Sequence, residues 1–170
     1  MIWPGSVLAS DWDALREPGA IAIMRHALAP GTGDPARFEI DNCATQRNLD
    51  QRGRDQAAAI GDALRAEGIT FDAVLTSQWC RTRETADLLG FGDPRDAPSL
   101  NSFFGQYERR DAQTRDTFAL LQSMTGRLML VTHQVNITAL TGRGTRSGEI
   151  IVFRLTDAGV DVLGSILIDP

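Results

Sequence analysis

The stretch Ile21-Ala-Ile-Met-Arg25-His26 decides the fold of this chain. Its apolar run has the length and composition of a buried β-strand, and turn-forming pairs lie on either side of it, at Pro18-Gly19 and Pro30-Gly31. The run ends in a guanidinium group and an imidazole. Because open α/β sheets bind ligands at the carboxyl ends of their strands, we predict that Arg25 and His26 lie at a binding site.

Two further strand ends carry residues of the same kind. The run Leu128–Thr132 is followed by His133, the second of only two histidines in the chain. Another predicted strand, residues 71–76, is followed by Arg81, near the start of a short helix that we expect to end at Gly90. A helix amino terminus favours an anion, because its free N–H groups and its dipole carry partial positive charge.

A single histidine at a strand end is more often structural than catalytic, but this repetition indicates a phosphate pocket. One guanidinium group can bind two phosphate oxygens at once, and imidazoles either donate hydrogen bonds or attack phosphorus. We therefore predict that Arg25, His26, Arg81 and His133 form one catalytic, phosphate-binding set.

Composition narrows the possible functions. The chain has 170 residues, which we expect to form a single domain over residues 1–170. Its net charge of −5 and isoelectric point near 5.0 argue against a nucleic-acid partner. No apolar stretch approaches the ~20 residues that a membrane-spanning helix needs.

The order of apolar runs and helical patterns predicts the fold class. Strands alternate with helices, including helices over residues 50–68 and 109–124, which predicts a three-layer α/β/α sandwich with a mainly parallel sheet. Residues 149–155 and 160–168 form a predicted C-terminal β-hairpin. We read Gly31-Thr-Gly-Asp-Pro35 as a turn, because it lacks both the Walker lysine and a complete GxGxxG spacing.

Four motifs, spread in order over residues 20–155, resemble the histidine phosphatase (phosphoglycerate mutase-like) superfamily, and within it the small phosphohistidine-phosphatase-like branch. The motifs are Arg25-His26, Leu49-x₃-Gly53-x₂-Gln56-Ala57, Ser77-x₃-Arg81-x₃-Thr85-Ala86, and the late strand that ends in His133. The resemblance implies a phosphoglycerate mutase-like fold. It also implies that His26 is a nucleophile forming a phosphohistidine, while Arg25, Arg81 and His133 bind the phosphoryl oxygens.

From this resemblance we expect a metal-independent phosphatase without a cofactor, acting on a phosphomonoester or phosphoamidate. The substrate class is a phosphorylated small molecule or a phosphoprotein. Two alternatives remain open: a catalytically weak phosphate- or phosphoprotein-binding module, and an extracytoplasmic phosphatase acting on envelope sugar or lipid phosphates. The residues themselves support a nucleophilic His26, because neighbouring guanidinium groups disfavour protonation of its imidazole.

The chain departs from the family pattern at the proton donor. The positions at which the family's branches carry an acid are occupied here by Ser102 and Gln134. Glu108 and Glu149 are the remaining candidates. A phosphatase without a general acid should prefer good leaving groups, because acid catalysis contributes about 10²–10⁴-fold when the leaving group is poor.

The cysteines and the aromatic residues leave further alternatives open. Cys43 and Cys80 either form a disulfide, which would imply an oxidising compartment, or remain separate thiols. The sequence shows no recognisable signal peptide, and the compartment stays open: cytoplasmic from the chain as given, or periplasmic if a leader was removed and Cys43 and Cys80 are bonded. Four aromatic residues either line a pocket mouth or fill the core: Phe38, Phe103, Phe104 and Tyr107. The oligomeric state is not predicted.

Overall fold

The computed structural model describes residues 11–170, which fold around one six-stranded sheet. The strands are β1 (Ile21–Arg25), β2 (Ala73–Thr76), β3 (Arg95–Asp96), β4 (Leu128–Thr132), β5 (Ile150–Thr156) and β6 (Gly159–Ile166). The α-helices are α1 (Asp11–Ala14), α2 (Gln51–Ala66), α3 (Cys80–Leu89), α4 (Arg110–Gln122) and α5 (Gln134–Thr141). None of the helices in this part of the chain is long and apolar enough to cross a membrane.

The strand order is β3-β2-β4-β1-β5-β6. The first four strands in this order pair in parallel, whereas β5 runs antiparallel to both β1 and β6. The predicted α/β fold with a C-terminal hairpin is thus confirmed. Strand β3 is not among the predicted strands, because its two residues are both charged and exposed and give no apolar pattern.

The core has two apolar layers, one on each face of the sheet, as the alternation of side chains along a strand requires. Ala22 and Met24 of β1 face the layer that α2 and α3 cover, whereas Ile21 and Ile23 face the layer beneath α4 and α5. Strand β4 is buried along its whole length, as expected for a central parallel strand. The central position of β1 and β4 brings their carboxyl ends side by side.

Two glycines let α2 approach its neighbours closely. A Cβ atom at Gly53 would lie 2.0 Å from the carbonyl oxygen of Leu28, and one at Gly61 would lie 2.2 Å from that of Leu89. On the same helix, Gln56 accepts a hydrogen bond from Leu28 N at 3.0 Å. Helix α2 therefore fixes the chain two residues after His26, which is the structural basis of the Leu49-to-Ala57 motif.

Replacement of Gly61 by alanine tests this close packing, because two effects of opposite sign compete. Helix propensity alone would stabilise the alanine variant by about 0.5–1 kcal/mol. A methyl group forced against the Leu89 carbonyl costs about 1–3 kcal/mol, so we expect a net loss in the free energy of unfolding measured in urea. Ala59→Gly, on the exposed side of α2, is the matched control for propensity. A more stable Gly61→Ala protein would contradict the close contact.

Candidate active site

The two histidines lie beside each other at the carboxyl edge of the sheet. His26 follows β1 and His133 follows β4; both side chains are buried, and their ring centroids are 5.6 Å apart. The parallel register aligns Arg25 with Thr132, and the His26 N–H donates to the Thr132 carbonyl at 3.0 Å. Backbone pairing alone therefore brings together two imidazoles that are far apart in sequence.

The hydrogen bonds of His26 define its tautomer. Its Nδ1 lies 2.7 Å from the Ala27 carbonyl oxygen, which only accepts, so Nδ1 carries the proton and Nε2 keeps a free lone pair. The peptide after His26 is held in turn by Thr85, whose Oγ1 accepts from Ala27 N at 3.1 Å and donates to the Arg81 carbonyl at 2.7 Å. Thr85 of the third motif thus positions the backbone around His26.

His133 has the opposite tautomer. Its Nδ1 faces Nη2 of Arg81 at 3.4 Å, a long contact in which the guanidinium donates. The proton therefore lies on Nε2, which donates to Ser77 Oγ at 2.7 Å. Ser77, the first residue of the third motif, is the residue that orients His133.

Burial and positive charge keep both imidazoles neutral. The pKa of His26 lies well below its usual range, first because the ring is buried and then because Arg81 is close; the Ala27 hydrogen bond opposes the shift. The pKa of His133 is lowered in the same way, by burial and then by Arg81. The free lone pair on His26 Nε2 is therefore available at neutral pH.

Three guanidinium groups face the same cavity. Arg25 donates to the Thr145 carbonyl at 3.1 Å, and burial together with Arg81 lowers its pKa. Arg47 donates through Nε to the Gly33 carbonyl at 2.6 Å, and burial, followed by the charge of Arg81, lowers its pKa to about 10. Arg47 was not among the predicted residues, because it precedes a helix without following any strand.

Arg81 pairs with Asp34, a carboxylate in the stretch that is predicted to form a simple turn. Asp34 accepts from Arg81 Nη1 at 2.7 Å and from Nη2 at 3.1 Å, and the side chains are only 11% and 3% exposed. Trp79 Nε1 also donates to Asp34, at 3.0 Å. Arg81 Nε is buried and has no hydrogen-bond partner among the described residues.

A disulfide joins the segment that carries Asp34 to the segment that carries Arg81. Cys43 and Cys80 are bonded, with their Cα atoms 5.6 Å apart. The Cys80 N–H also donates to the side-chain oxygen of Gln46 at 3.0 Å. The loop between β1 and α2, which bears Asp34 and Arg47, is therefore attached to the first turn of α3, which bears Arg81.

A cavity of about 650 Å³ opens above these groups. Phe38, Phe104 and Tyr107 lie at its mouth, and the latter two are 56% and 57% exposed. Phe103, in contrast, is buried. The aromatic residues thus divide between the two roles considered above. Arg109 adds a further cation to the rim.

The two carboxylates considered as proton donors lie outside this cavity. Glu108 is exposed in the short 3₁₀ helix Tyr107–Arg109, and the Glu149 carboxylate accepts from Arg146 N at 2.8 Å. Ser102 and Gln134, at the family's acid positions, do line the cavity. Within residues 11–170, no group of three or more His, Cys, Asp or Glu side chains is placed to hold a metal ion.

Solved structures share this fold at low sequence identity. The protein histidine phosphatase SixA complexed with tungstate superposes with a TM-score of 0.64 and 16% identity, covering 86% of this chain and 96% of that one. A phosphoserine phosphatase variant from Entamoeba histolytica, in complex with phosphoserine, gives 0.61 and 12%, covering 86% and 95%. The protein TTHB049 from Thermus thermophilus gives 0.63 and 18%, covering 88% and 99%. These likenesses define a phosphoglycerate mutase-like α/β fold.

The family follows from the sequence itself. Residues 21–117 match the histidine phosphatase superfamily (branch 1). The chain belongs to this superfamily and is a phosphatase of the hydrolase class. A search of curated protein sequences finds no match.

The lowered imidazole pKa values predict how stability depends on pH. The unfolded chain binds protons at its two histidines as the pH falls through ~6.5, whereas the folded protein does not, so each histidine lowers stability by up to about 1.4 kcal/mol per pH unit below that point. We expect the free energy of unfolding in urea to fall between pH 7 and pH 5. A His26→Gln/His133→Gln variant should lose most of this slope. An unchanged slope in that variant would contradict the assignment.

Proposed function

We propose that the protein is a metal-independent phosphatase that hydrolyses a phosphomonoester or phosphoamidate through a phosphohistidine on His26. The observation that carries the proposal is the tautomer of His26: Nδ1 is committed to the Ala27 carbonyl, and Nε2 is unprotonated. In the reaction, the Nε2 lone pair forms the N–P bond while the bond from phosphorus to the leaving group breaks. Water then attacks phosphorus, releases phosphate and restores the imidazole.

The cations of the site support this reaction. Phosphoryl transfer needs mainly positioning and neutralisation of charge on the phosphoryl oxygens. Arg25, Arg47 and Arg81 supply that charge, and the Nε of Arg81, unpartnered within the described chain, supplies an unused donor. His133, held by Ser77 beside Arg81, borders the same space. In this proposal Arg25, Arg81 and His133 bind the phosphoryl group, as the family resemblance implies. His133 does so in its other tautomer, in which the Ser77 hydroxyl donates to Nε2 and Nδ1 carries the proton for a phosphoryl oxygen.

The His26→Ala variant tests the nucleophile. We expect hydrolysis of para-nitrophenyl phosphate to fall by at least about 10³-fold, because the variant lacks the lone pair that attacks phosphorus. In the wild type, a rapid quench in detergent at alkaline pH should trap an acid-labile, alkali-stable phosphoryl group that mass spectrometry assigns to His26. Activity retained in His26→Ala would contradict the assignment.

The same experiment separates an enzyme from a binding module. If the protein is a binding module, the wild type and His26→Ala both bind vanadate or phosphate. The wild type then neither hydrolyses aryl phosphates and phosphoamidates nor accumulates phosphohistidine. Circular dichroism and the urea midpoint show whether His26→Ala remains folded, so loss of turnover is separable from unfolding.

The Cys43–Cys80 disulfide favours one more specific version of this function, an extracytoplasmic phosphatase acting on envelope sugar or lipid phosphates. Structural disulfides persist in oxidising compartments and are rare where cellular thiols stay reduced. Non-reducing mass spectrometry of protein isolated from its native cells, with thiols alkylated at lysis, should show both cysteines protected. Two alkylated thiols would contradict this version and leave the phosphatase proposal unaffected.

A further inference from the structure

The contacts of Asp34 reproduce those expected of a bound phosphoryl group. Its two oxygens accept from both terminal nitrogens of Arg81, in the paired geometry that guanidinium groups use for carboxylates and phosphates alike. Trp79 Nε1 donates to Oδ2, and Arg47 N donates to Oδ1 at 3.3 Å. A phosphoryl group bound to Arg81 and the Asp34 carboxylate would therefore compete for the same donors.

Asp34 is also the only carboxylate on the cavity wall formed by residues 11–170. The other titratable or charged groups on that wall are mostly cations and imidazoles: Arg25, His26, Arg47, Arg81, Arg109 and His133. Burial alone would raise the pKa of Asp34, but the hydrogen bonds and charge of Arg81 outweigh it, with help from Trp79 and the Arg47 N–H. Asp34 is therefore ionised while it is paired with Arg81.

We propose that Asp34 is the proton donor to the leaving group, and that it becomes an acid only when the substrate displaces it from Arg81. This inference rests on the proposed phosphatase function and deepens it. Once a phosphoryl dianion binds the Arg81 guanidinium in place of Asp34, the Asp34 carboxylate no longer contacts a cation. It then lies beside an anion in a half-buried cavity. Both changes favour the protonated carboxyl.

The backbone around Asp34 allows such an exchange. Gly31 and Gly33 both have positive φ angles, of 99° and 68°, and both closely precede Asp34 in sequence. Glycine adopts these conformations without strain, and short glycine-containing segments absorb the backbone rotation of moving loops. The disulfide at Cys43 anchors the later part of the same loop, so the movement is confined to the segment near Asp34.

The proton balance closes over one turnover, which begins when the displaced Asp34 carboxylate takes a proton from solvent. As the His26 Nε2–P bond forms, the bond to the leaving oxygen or nitrogen breaks, and the Asp34 carboxyl gives its proton to that atom. The resulting carboxylate then takes a proton from the water that attacks the phosphohistidine, in the reverse of its first role. When phosphate departs, Asp34 gives up that proton to solvent and pairs again with Arg81. This donor replaces the acid that Ser102 and Gln134 cannot provide.

The Asp34→Asn variant removes both the competing charge and the acid. Each loss has its own readout: the affinity for an anion reports the charge, and the dependence on the leaving group reports the acid. We expect inhibition by vanadate or inorganic phosphate to become about tenfold tighter, which corresponds to about 1.4 kcal/mol. For an alkyl phosphate, whose leaving group needs a proton, kcat/KM should fall about 10²–10³-fold, because it reports phosphoryl transfer to His26. For para-nitrophenyl phosphate kcat/KM should stay within a few-fold, and the high-pH limb of the alkyl phosphate profile should disappear. Asp41→Asn, on an exposed residue of the same loop, is the matched control and should change none of these quantities.

Three results would overturn the proposal. Equal losses in kcat/KM with alkyl and aryl phosphates would show a structural role for Asp34. Tighter vanadate binding with unchanged alkyl phosphate turnover would show a carboxylate that blocks the site without donating a proton. Unchanged vanadate affinity would exclude the exchange on Arg81.

Failure of this proposal is distinguishable from failure of the proposed function. A wild-type protein that accumulates no phosphohistidine contradicts both the nucleophile and the proton transfer that depends on it. Phosphohistidine that forms at the same rate from an alkyl phosphate in wild type and in Asp34→Asn contradicts only the role of Asp34.

Discussion

Arg25, Arg47 and Arg81 bring three positive charges to one edge of the sheet, and their mutual repulsion opposes folding of the site. Arg81 lowers the pKa of each of the other two, which shows that they interact across the cavity. Asp34 supplies the compensating negative charge, and the disulfide closes a loop over a sequence separation of 37 residues. Loop closure of that length stabilises a folded chain by about 4 kcal/mol in the chain-entropy account. These two links hold the cationic site together in the absence of a ligand.

The same concentration of charge accounts for the state of the histidines. Two buried imidazoles beside three guanidinium groups stay neutral, because a further positive charge there would be neither solvated nor paired. A neutral imidazole carries its proton on one of two nitrogens, and a hydrogen-bond partner selects which one. That partner is the Ala27 carbonyl for His26 and the Ser77 hydroxyl for His133. Ala27 and Ser77, two residues that lie just after strands, thus influence which imidazole nitrogen carries a lone pair.

The sequence predicts the parts of the site that regular structure positions, and it misses the parts that loops position. His26 and His133 follow buried apolar runs, and parallel strands carry such terminal residues to a common edge, so their meeting is predictable. Asp34 reaches Arg81 across 47 residues of chain through a loop whose path no periodicity reveals, and its Gly-Thr-Gly-Asp-Pro context is equally typical of a simple turn. The pairing of Cys43 with Cys80 stayed open for the same reason, because it depends on where that loop travels.

The proposed exchange on Arg81 depends on how the contacts of a phosphoryl group would compare with those of the Asp34 carboxylate. Asp34 has two oxygens and satisfies the two terminal nitrogens, which leaves the buried Nε without a partner in the part of the chain that the structure describes. A phosphoryl group has three non-bridging oxygens and a larger negative charge than a carboxylate, so it offers more acceptors to the donors around Arg81. A buried donor without a partner costs about 1–3 kcal/mol, which the pairing with Asp34 does not recover at Nε. In the proposed exchange, the Asp34 carboxylate thus pairs with Arg81 until a phosphoryl group displaces it.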